Sequence, residues 1–317
     1  MIAPSSSEHS DRVSVQEFFE ALGKRIEVKL LCGQSGLHRE LHSHRIQKLG
    51  LGLAGFVDYQ HRHRVQFIGR SEMGYFATLS PDQSRRSLEA IFARELSCLV
   101  VTTGLSLGDD FLDLAKQHST PILWTPIVSS KAISEVTACL EEFLAPTLSV
   151  HASLVDVFGL GVLLQGASGV GKSECAMDLI LKGHRIISDD LVEIRRFEGQ
   201  GLVGQRPSTF PFLMEVRGLG ILDVKDLFGI SAVLPRKTIE LAVHLRSGKE
   251  LSDRLGLEQG EQSFLDVVVP RLTIPVFAGR NLATLVEVAV RLQLLRQQGY
   301  DSTRDVVEDL EERLKQG

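Results

Sequence analysis

Gly166-Ala-Ser-Gly-Val-Gly-Lys-Ser173 fits the pattern G-x-x-x-x-G-K-[ST] of a phosphate-binding loop, or P-loop. An apolar run ends just before it at Gln165, and a helix is predicted over residues 173–181 after it. Glycines allow successive backbone N–H groups to surround a phosphate, and the positive end of the following helix adds to the attraction. The stretch therefore predicts a nucleotide site in which Lys172 contacts the β- and γ-phosphates of ATP and the Ser173 hydroxyl holds Mg²⁺. The predicted loop comprises Gly166, Ala167, Ser168, Gly169, Val170, Gly171, Lys172 and Ser173.

Two adjacent carboxylates, Asp189 and Asp190, follow a short predicted strand over residues 186–188. In open α/β sheets the carboxyl ends of the strands form the ligand crevice, so this pair is expected to face the γ-phosphate. One carboxylate can lie near Mg²⁺ while the other accepts a proton from an attacking hydroxyl. A pair of turn aspartates without a catalytic role is the alternative at this point.

The chain contains a single asparagine, Asn281, and Leu282 follows it. The N-K-x-D element with which GTPases recognise their base is therefore impossible here. The H-R-D catalytic loop of eukaryotic-type kinases, with its metal-binding asparagine, is also absent from the sequence. These absences exclude an ordinary GTPase and leave other ATP-dependent P-loop proteins.

Composition points to an intracellular protein. The chain has 317 residues, 43% of them hydrophobic and 24% charged, which is enough for two ordinary domains. A net charge of −5 argues against nucleic-acid and membrane partners, and no apolar run reaches the ~20 residues of a membrane-spanning helix. The polar residues 1–12 lack the apolar core of a signal peptide. Cys32, Cys98, Cys139 and Cys175 show neither zinc spacing nor close pairing, which favours free thiols and a cytoplasmic location.

A domain boundary is predicted at Ala145-Pro146, because proline cannot continue the helix predicted over residues 134–143. Before this point, predicted strands near residues 99–102 and 121–126 alternate with helices, which favours an α/β fold with a parallel or mixed sheet. Residues 1–145, with a polar tail at 1–12, are therefore predicted to form an N-terminal α/β domain with a regulatory or assembly role.

Residues 146–317 are predicted to form the P-loop catalytic domain. A strand is expected near residues 238–244 and a long helix over residues 282–297. The last segment, residues 301–316, has apolar residues at helical spacing and predicts a C-terminal amphipathic helix for packing or subunit contact.

Further stretches occur in a fixed order around the P-loop, and together they resemble the HPr kinase/phosphorylase family. In the second half they are His151-Ala-Ser-Leu-Val-Asp-Val-Phe-Gly159, His184-Arg-Ile-Ile-Ser-Asp-Asp-Leu-Val-Glu-Ile-Arg195, Met214-Glu-Val-Arg-Gly-Leu-Gly-Ile-Leu-Asp223, Asp253-Arg-Leu-Gly256, Leu272-Thr-Ile-Pro-Val276 and Gly279-Arg-Asn281. In the first half they are Gly50-Leu-Gly-Leu-Ala-Gly55 and Leu99-Val-Val-Thr-Thr-Gly-Leu105. The resemblance covers residues 13–299, and the stretch around Glu215 is far more specific to this family than the P-loop.

The resemblance implies an ATP- and Mg²⁺-dependent kinase that phosphorylates a serine of the phosphocarrier protein HPr and thereby regulates the bacterial phosphotransferase system. It also implies the reverse transfer, with inorganic phosphate as the acceptor, and assembly as a homohexamer with the catalytic domains at its centre. Asp190 would accept the proton during phosphorylation and donate it during dephosphorylation. His151 and Lys172 would act at the phosphates, and Ser173 and Glu215 would hold Mg²⁺.

The resemblance also assigns Arg254 to stabilising the transferred charge and a late loop to dephosphorylation. This loop consists of Pro275, Val276, Phe277, Ala278, Gly279 and Arg280. Many members carry a basic residue and a proline in place of Phe277 and Ala278, and an acidic residue in place of Ala167. The missing positive charge in the loop predicts weaker binding of inorganic phosphate.

Without the resemblance, three of these residues have ordinary structural explanations. Glu215 could form a surface salt bridge, Arg254 could be a solvated loop arginine, and His151 could be a structural histidine. Two other functions also stay open on the residues alone: a P-loop kinase of a small molecule, and a nucleotide-sensing regulator with little catalysis. The order of Asp189, Asp190, Glu215 and Arg254 after the P-loop favours the protein kinase.

Overall fold

The structure, a computed structural model, describes residues 12–207, 211–216, 218, 220–247, 258–277 and 279–299. The helix predicted over residues 301–316 lies outside these residues. Contacts within the described chain divide it into two compact units, residues 12–145 and residues 146–299. Both units combine helices with β-sheets, which confirms the predicted α/β fold class. Among the described helices, none is both long and apolar enough to cross a membrane.

The first unit contains short strands and six described α-helices. Its strands are β1 (Val13–Ser14), β2 (Lys29–Cys32), β3 (Glu40–Leu41), β4 (Gln47–Lys48), β5 (Val65–Ile68), β6 (Cys98–Val101) and β7 (Ile122–Trp124). Its helices are α1 (Val15–Gly23), α2 (Gly50–Leu53), α3 (Arg70–Phe76), α4 (Pro81–Phe92), α5 (Asp109–Gln117) and α6 (Ser129–Leu144).

A five-stranded sheet in the order β2-β7-β6-β5-β4 forms the centre of the first unit, as far as it is described. Strands β4 to β7 are parallel, and β2 is antiparallel to β7. On β6, Cys98 and Val100 pack in the core with α1 and α6, whereas Leu99 and Val101 pack with α4 and α5. Because both faces are covered, β6 consists of four consecutive buried apolar residues.

The second unit contains longer strands and three described α-helices. Its strands are β8 (Thr147–His151), β9 (Ser153–Val157), β10 (Leu160–Gly166), β11 (Arg185–Ser188), β12 (Leu191–Phe197), β13 (Gly201–Gln205), β14 (Leu213–Val216), β15 (Gly220–Asp223), β16 (Arg236–Thr238), β17 (Leu241–Ser247), β18 (Glu258–Phe264) and β19 (Val267–Val276). Its helices are α7 (Lys172–Leu181), α8 (Val224–Phe228) and α9 (Leu282–Gln297).

In the described part of this unit, a six-stranded sheet (β11-β9-β10-β17-β19-β18) packs on a four-stranded one (β16-β13-β12-β8). On β10, Val162 and Leu164 pack against α7 and α9, whereas Leu163 packs between the sheets. Strand β9 is antiparallel to both β10 and β11, so β10 and β11 run in the same direction. Their carboxyl ends therefore lie at the same edge of the sheet, which brings the P-loop and the acidic pair together.

Glu287 on α9 holds the C-terminal end of α7, the helix that starts at the P-loop. Its carboxylate accepts a hydrogen bond from Lys182 Nζ at 2.5 Å and lies 3.0 Å from His184 Nε2. The side chains of Glu287 and His184 are only 17% and 7% exposed. The hydrogen bond from Lys182, followed by the one with His184, lowers the pKa of Glu287. This network fixes α7 against α9 and so supports the position of the P-loop.

We expect Glu287→Gln to lower the free energy of unfolding at pH 7 by about 1–2 kcal/mol, because both hydrogen bonds lose their charged acceptor. A carboxylate with a lowered folded-state pKa stabilises the fold above its unfolded pKa. The Glu287 contribution is therefore present above pH 4.5 and is lost as the pH falls through the lowered pKa. Urea unfolding at pH 7 and at decreasing pH measures both effects. Glu261→Gln, at an exposed carboxylate on β18, is the control, and equal stability of Glu287→Gln and wild type at pH 7 would contradict the prediction.

Candidate active site

The P-loop begins where β10 ends, and two of its positions require glycine. Gly166 has a φ of +148°, and a Cβ atom there would lie 2.5 Å from the carbonyl oxygen of Leu245 on β17. Gly171, immediately before α7, has a φ of +106°. Residues with a side chain rarely adopt such conformations. The glycines therefore allow the chain to leave the sheet and enter the helix within a few residues.

Lys172 is the first residue of α7, and its ammonium group lies over the loop. Lys172 Nζ donates to the carbonyl oxygens of Gly166 at 3.1 Å and Ala167 at 3.2 Å. The first N–H groups of a helix have no partner within the helix and carry partial positive charge. Together, Lys172 and the start of α7 form an environment suited to a phosphate group.

Asp189 directly follows β11 and contacts the P-loop side of the site. Its carboxylate accepts a short hydrogen bond from the Ser153 hydroxyl and a second from the Ser173 side chain. Burial raises the pKa of Asp189, and the two serine hydrogen bonds oppose this rise. The partly buried carboxylate and the Ser173 hydroxyl are hard oxygen donors of the kind that Mg²⁺ prefers.

Asp190 has a different environment, although it is the next residue. Its side chain is 85% exposed, and Asp190 Oδ1 lies 3.8 Å from Nδ1 of His151, which is 77% exposed. Asp190 adopts a φ of +66°, and its carbonyl oxygen accepts the Ala152 N–H at 3.1 Å. The left-handed backbone turns the chain sharply between β11 and β12. The two carboxylates therefore differ in exposure, which leaves Asp190 accessible to a substrate hydroxyl.

Glu215 lies on the hairpin of β14 and β15, opposite Ile221. Its neighbour Met214 is buried in the core with α7 and anchors the hairpin. Because successive side chains of a strand point to opposite faces, Glu215 is exposed. Gly218 and Gly220 both have a positive φ, of +86° and +88°.

A cavity of about 680 Å³ brings most of the predicted site residues together. All of its described lining residues belong to the second unit. The predicted residues among them are His151, Ser168, Gly169, Gly171, Lys172, Ser173, Asp189, Asp190 and Glu215. The arrangement places a phosphate-binding loop, hard oxygen donors and an exposed carboxylate around one space, as transfer of a phosphoryl group requires.

Other predicted residues do not line this cavity within the described chain. Gly166, Ala167 and Val170 of the P-loop are not among its lining residues. The described residues of the loop after β19 are also absent from the lining: Phe277 is 42% exposed, and the Arg280 guanidinium lies 5.1 Å from the centre of its ring. Arg254 and Ala278 lie outside the described residues.

Sequence reasoning missed two parts of the site. The contacts of Asp189 with Ser153 and Ser173 depend on the pairing of β9 with β11, which no local pattern reveals. Arg206 and Phe212 also line the cavity, and the guanidinium carbon of Arg206 lies 3.8 Å from the centre of the Phe212 ring. A lone arginine at the end of a strand carries no motif, so only the fold could identify it.

The fold and the cavity define a P-loop protein with the site of an ATP-dependent phosphotransferase. The family described as HPr Serine kinase N terminus matches residues 13–140, and the HPr Serine kinase C-terminal domain matches residues 142–310. The HPr kinase/phosphorylase of Geobacter sulfurreducens is 39% identical over 309 residues, 97% of each chain. That of Peptoclostridium acidaminophilum is 39% identical over 305 residues, 96% of this chain and 98% of its own. The Hpr(Ser) kinase/phosphatase structure from Coxiella burnetii is 33% identical, covers 50% of this chain and 97% of its own, and has a TM-score of 0.45. This chain therefore belongs to the HPr kinase/phosphorylase family.

Proposed function

We propose that this protein transfers the γ-phosphoryl group of ATP to a serine of HPr and also removes that phosphoryl group by transfer to inorganic phosphate. The observation that carries the proposal is the cavity in which the P-loop, Asp189, Asp190, His151 and Glu215 meet. Membership of the HPr kinase/phosphorylase family over nearly the whole chain supports the choice of HPr as the substrate.

The proposed Mg²⁺ ligands are the Ser173 hydroxyl and the Glu215 carboxylate. The donor set fits the ion, because Asp189 also lines the cavity and hydrogen-bonds Ser173, so three hard oxygen groups surround the same space. When bound, Mg²⁺ would neutralise charge on the β- and γ-phosphates.

In the proposed forward reaction, the seryl oxygen attacks the γ-phosphorus and the bond from that phosphorus to the β,γ-bridging oxygen breaks. The seryl proton passes to Asp190, and ADP leaves. Lys172 and the N–H groups at the start of α7 stabilise the phosphates on the ADP side. His151, whose Nδ1 lies 3.8 Å from Asp190 Oδ1, is proposed to act at the phosphates together with Lys172.

In the proposed reverse reaction, an oxygen of inorganic phosphate attacks the phosphorus of phosphoserine. The bond to the seryl oxygen breaks, and protonated Asp190 returns a proton to that oxygen. The products are serine and pyrophosphate, so the P-loop holds inorganic phosphate where the β-phosphate of ATP lies in the forward reaction. The same residues therefore serve both directions, as microscopic reversibility requires.

The proposal extends to assembly, location and the first unit. We assign a homohexameric state, with the catalytic units at its centre, a cytoplasmic location where ATP is available, and a regulatory or assembly role to residues 12–145. Arg254 and the loop over residues 275–280 are retained as proposed contributors to charge stabilisation and dephosphorylation. Sedimentation of the purified full chain tests the hexamer directly.

The experiment that tests the function is incubation of the protein with γ-labelled ATP, Mg²⁺ and HPr, followed by addition of phosphate. We expect label on a serine of HPr and then its loss as labelled pyrophosphate. Stable label after addition of phosphate would mean that the reverse reaction has decayed. Tight ATP binding without any transfer to HPr would overturn the proposal.

A further inference from the structure

Ser153 is a polar residue on a face of β9 that is otherwise apolar. Successive side chains of a strand alternate between its faces, so Ser153 shares a face with Val155 and Val157, which pack in the core with α7 and α9. Ser153 is 0% exposed, and a buried hydroxyl is costly unless it has a hydrogen-bond partner. Its partner is the Asp189 carboxylate, with 2.5 Å between Ser153 Oγ and Asp189 Oδ1.

The strand pairing explains how Ser153 reaches this carboxylate. Leu154 on β9 pairs with Ser188, the last residue of β11, and Asp189 comes next in the chain. On the other side of β9, Ser153 pairs with Leu164, two residues before the P-loop begins. Ser153 therefore lies on the strand between β10, which leads into the P-loop, and β11, which leads into the acidic pair.

The Asp189 carboxylate connects this buried serine to the P-loop helix. It also accepts hydrogen bonds from the Ser173 side chain, in the first turn of α7, and from the N–H of Asp190. Because the Ser173 hydroxyl donates its single hydrogen to Asp189, the lone pairs of its oxygen remain available to a cation in the cavity. The last torsion of an aspartate has only a broad preference, so its hydrogen-bond donors decide how the carboxylate is turned.

We infer that Ser153 is a positioning residue of the metal site: it holds the Asp189 carboxylate in the orientation that aligns Ser173, and so raises the affinity for Mg²⁺ without contacting the ion. This inference rests on the proposed function, which assigns Ser173 to Mg²⁺. Removing a hydrogen-bond partner of this kind commonly costs about 10- to 100-fold in metal affinity. Water cannot take over the role of Ser153, because the position is fully buried and a lost hydroxyl leaves too little space.

Calorimetric titration of the full chain with ADP, once with Mg²⁺ and once with EDTA, tests this inference without any transfer of phosphate. The ratio of the two ADP affinities measures the coupling between metal and nucleotide. For Ser153→Ala we expect this ratio to fall about tenfold. The ADP affinity in EDTA should stay within about twofold of the wild-type value, because Ser153 does not line the cavity that holds the phosphates.

Kinetics of transfer to HPr give a second readout. In Ser153→Ala the Mg²⁺ concentration that gives half the maximal rate should rise about tenfold, while the rate at saturating Mg²⁺ should change less than about threefold. A purely structural role of Ser153 would instead lower the ADP affinity in EDTA and the maximal rate as well.

A double-mutant cycle with Asp189→Asn tests whether Ser153 acts through Asp189. Asparagine keeps the size of the side chain but removes its charge. Ser153→Ala should therefore lower the affinity ratio about tenfold in the wild-type background, and change it less than about twofold in the Asp189→Asn background. An equal loss in both backgrounds would overturn the inference.

Ser97→Ala is the matched control, because Ser97 is also a buried serine, 2% exposed, whose hydroxyl donates to the carbonyl oxygen of Glu40 at 2.6 Å in the first unit. It should leave the affinity ratio unchanged. An unchanged ratio in Ser153→Ala, or equal losses of ADP affinity with Mg²⁺ and with EDTA, would overturn the inference while leaving the proposed function intact. A wild-type protein whose ADP affinity does not respond to Mg²⁺, and which transfers no phosphate to HPr, would overturn both.

Discussion

Asp190→Asn should slow transfer of the γ-phosphoryl group to HPr by a factor on the order of 10² to 10⁴, the usual cost of losing a general base. Asparagine keeps the shape of the side chain but cannot accept the seryl proton. It is also the substitution that the backbone tolerates best, since Asp190 has a φ of +66° and asparagine visits this region more readily than other residues with a side chain. A single-turnover assay with γ-labelled ATP measures the effect on the chemical step, and ATP binding should stay near the wild-type value.

Asp266→Asn provides the control for this variant. Asp266 also has a left-handed backbone, with a φ of +63°, and its side chain is 94% exposed on the turn before β19. Asp266→Asn makes the same chemical change as Asp190→Asn, at a residue with the same left-handed backbone that does not line the cavity. Near-normal transfer by Asp190→Asn would remove Asp190 from the role of proton acceptor. Equal slowing by Asp266→Asn would show that the effect comes from the fold.

Lys172→Met should reduce kcat/KM for ATP by a similar factor, on the order of 10² to 10⁴, because a preorganised cation is removed from the developing charge. Both phosphorylation and dephosphorylation should become slower, since the P-loop is proposed to hold the phosphates of ATP in one reaction and inorganic phosphate in the other. Methionine preserves most of the length of the side chain. Steady-state kinetics of phosphorylation and of dephosphorylation, with separate KM values for ATP and phosphate, measure the effect.

The matched control is Lys131→Met, at an exposed lysine on α6 of the first unit. It removes one positive charge from the protein without touching the cavity and should leave both reactions unchanged. A Lys172→Met variant with more than about a tenth of wild-type kcat/KM would contradict the assigned role of this lysine, since such a loss is below that expected for one oriented charged group.

Local patterns predicted much of the fold, because apolar periodicity and the residues that end helices and strands, such as proline and glycine, can be recognised within a few residues of sequence. The helix predicted over residues 282–297 matches α9 (Leu282–Gln297), where Asn281 caps the first turn by accepting the Thr284 N–H at 2.9 Å. Other boundaries were less accurate. Helix α6 starts at Ser129, five residues before the predicted start, and the strand predicted near residues 238–244 is in fact two strands that belong to different sheets. No local pattern shows which sheet a strand joins.

The part of the candidate site formed by the P-loop and the acidic pair could be predicted from the sequence. The P-loop and the acidic pair follow strands whose carboxyl ends share an edge, so their convergence could be expected from the topology of α/β sheets. The difference in exposure and hydrogen bonding between Asp189 and Asp190 could not be predicted from the sequence. It depends on the hydrogen bond from Ser153 and on the left-handed turn at Asp190. The same holds for Arg206, whose place follows from pairing between distant strands.

The burial of β10 on both faces has a consequence for nucleotide affinity. Binding a flexible loop to a ligand costs conformational entropy, because dihedral angles that were free become fixed. The chain entering the P-loop is already fixed by the helices on one face and the second sheet on the other, up to Gly166, and Lys172 is tied to the loop carbonyls. The phosphate contacts of this loop can therefore contribute to binding with little loss from ordering the loop itself.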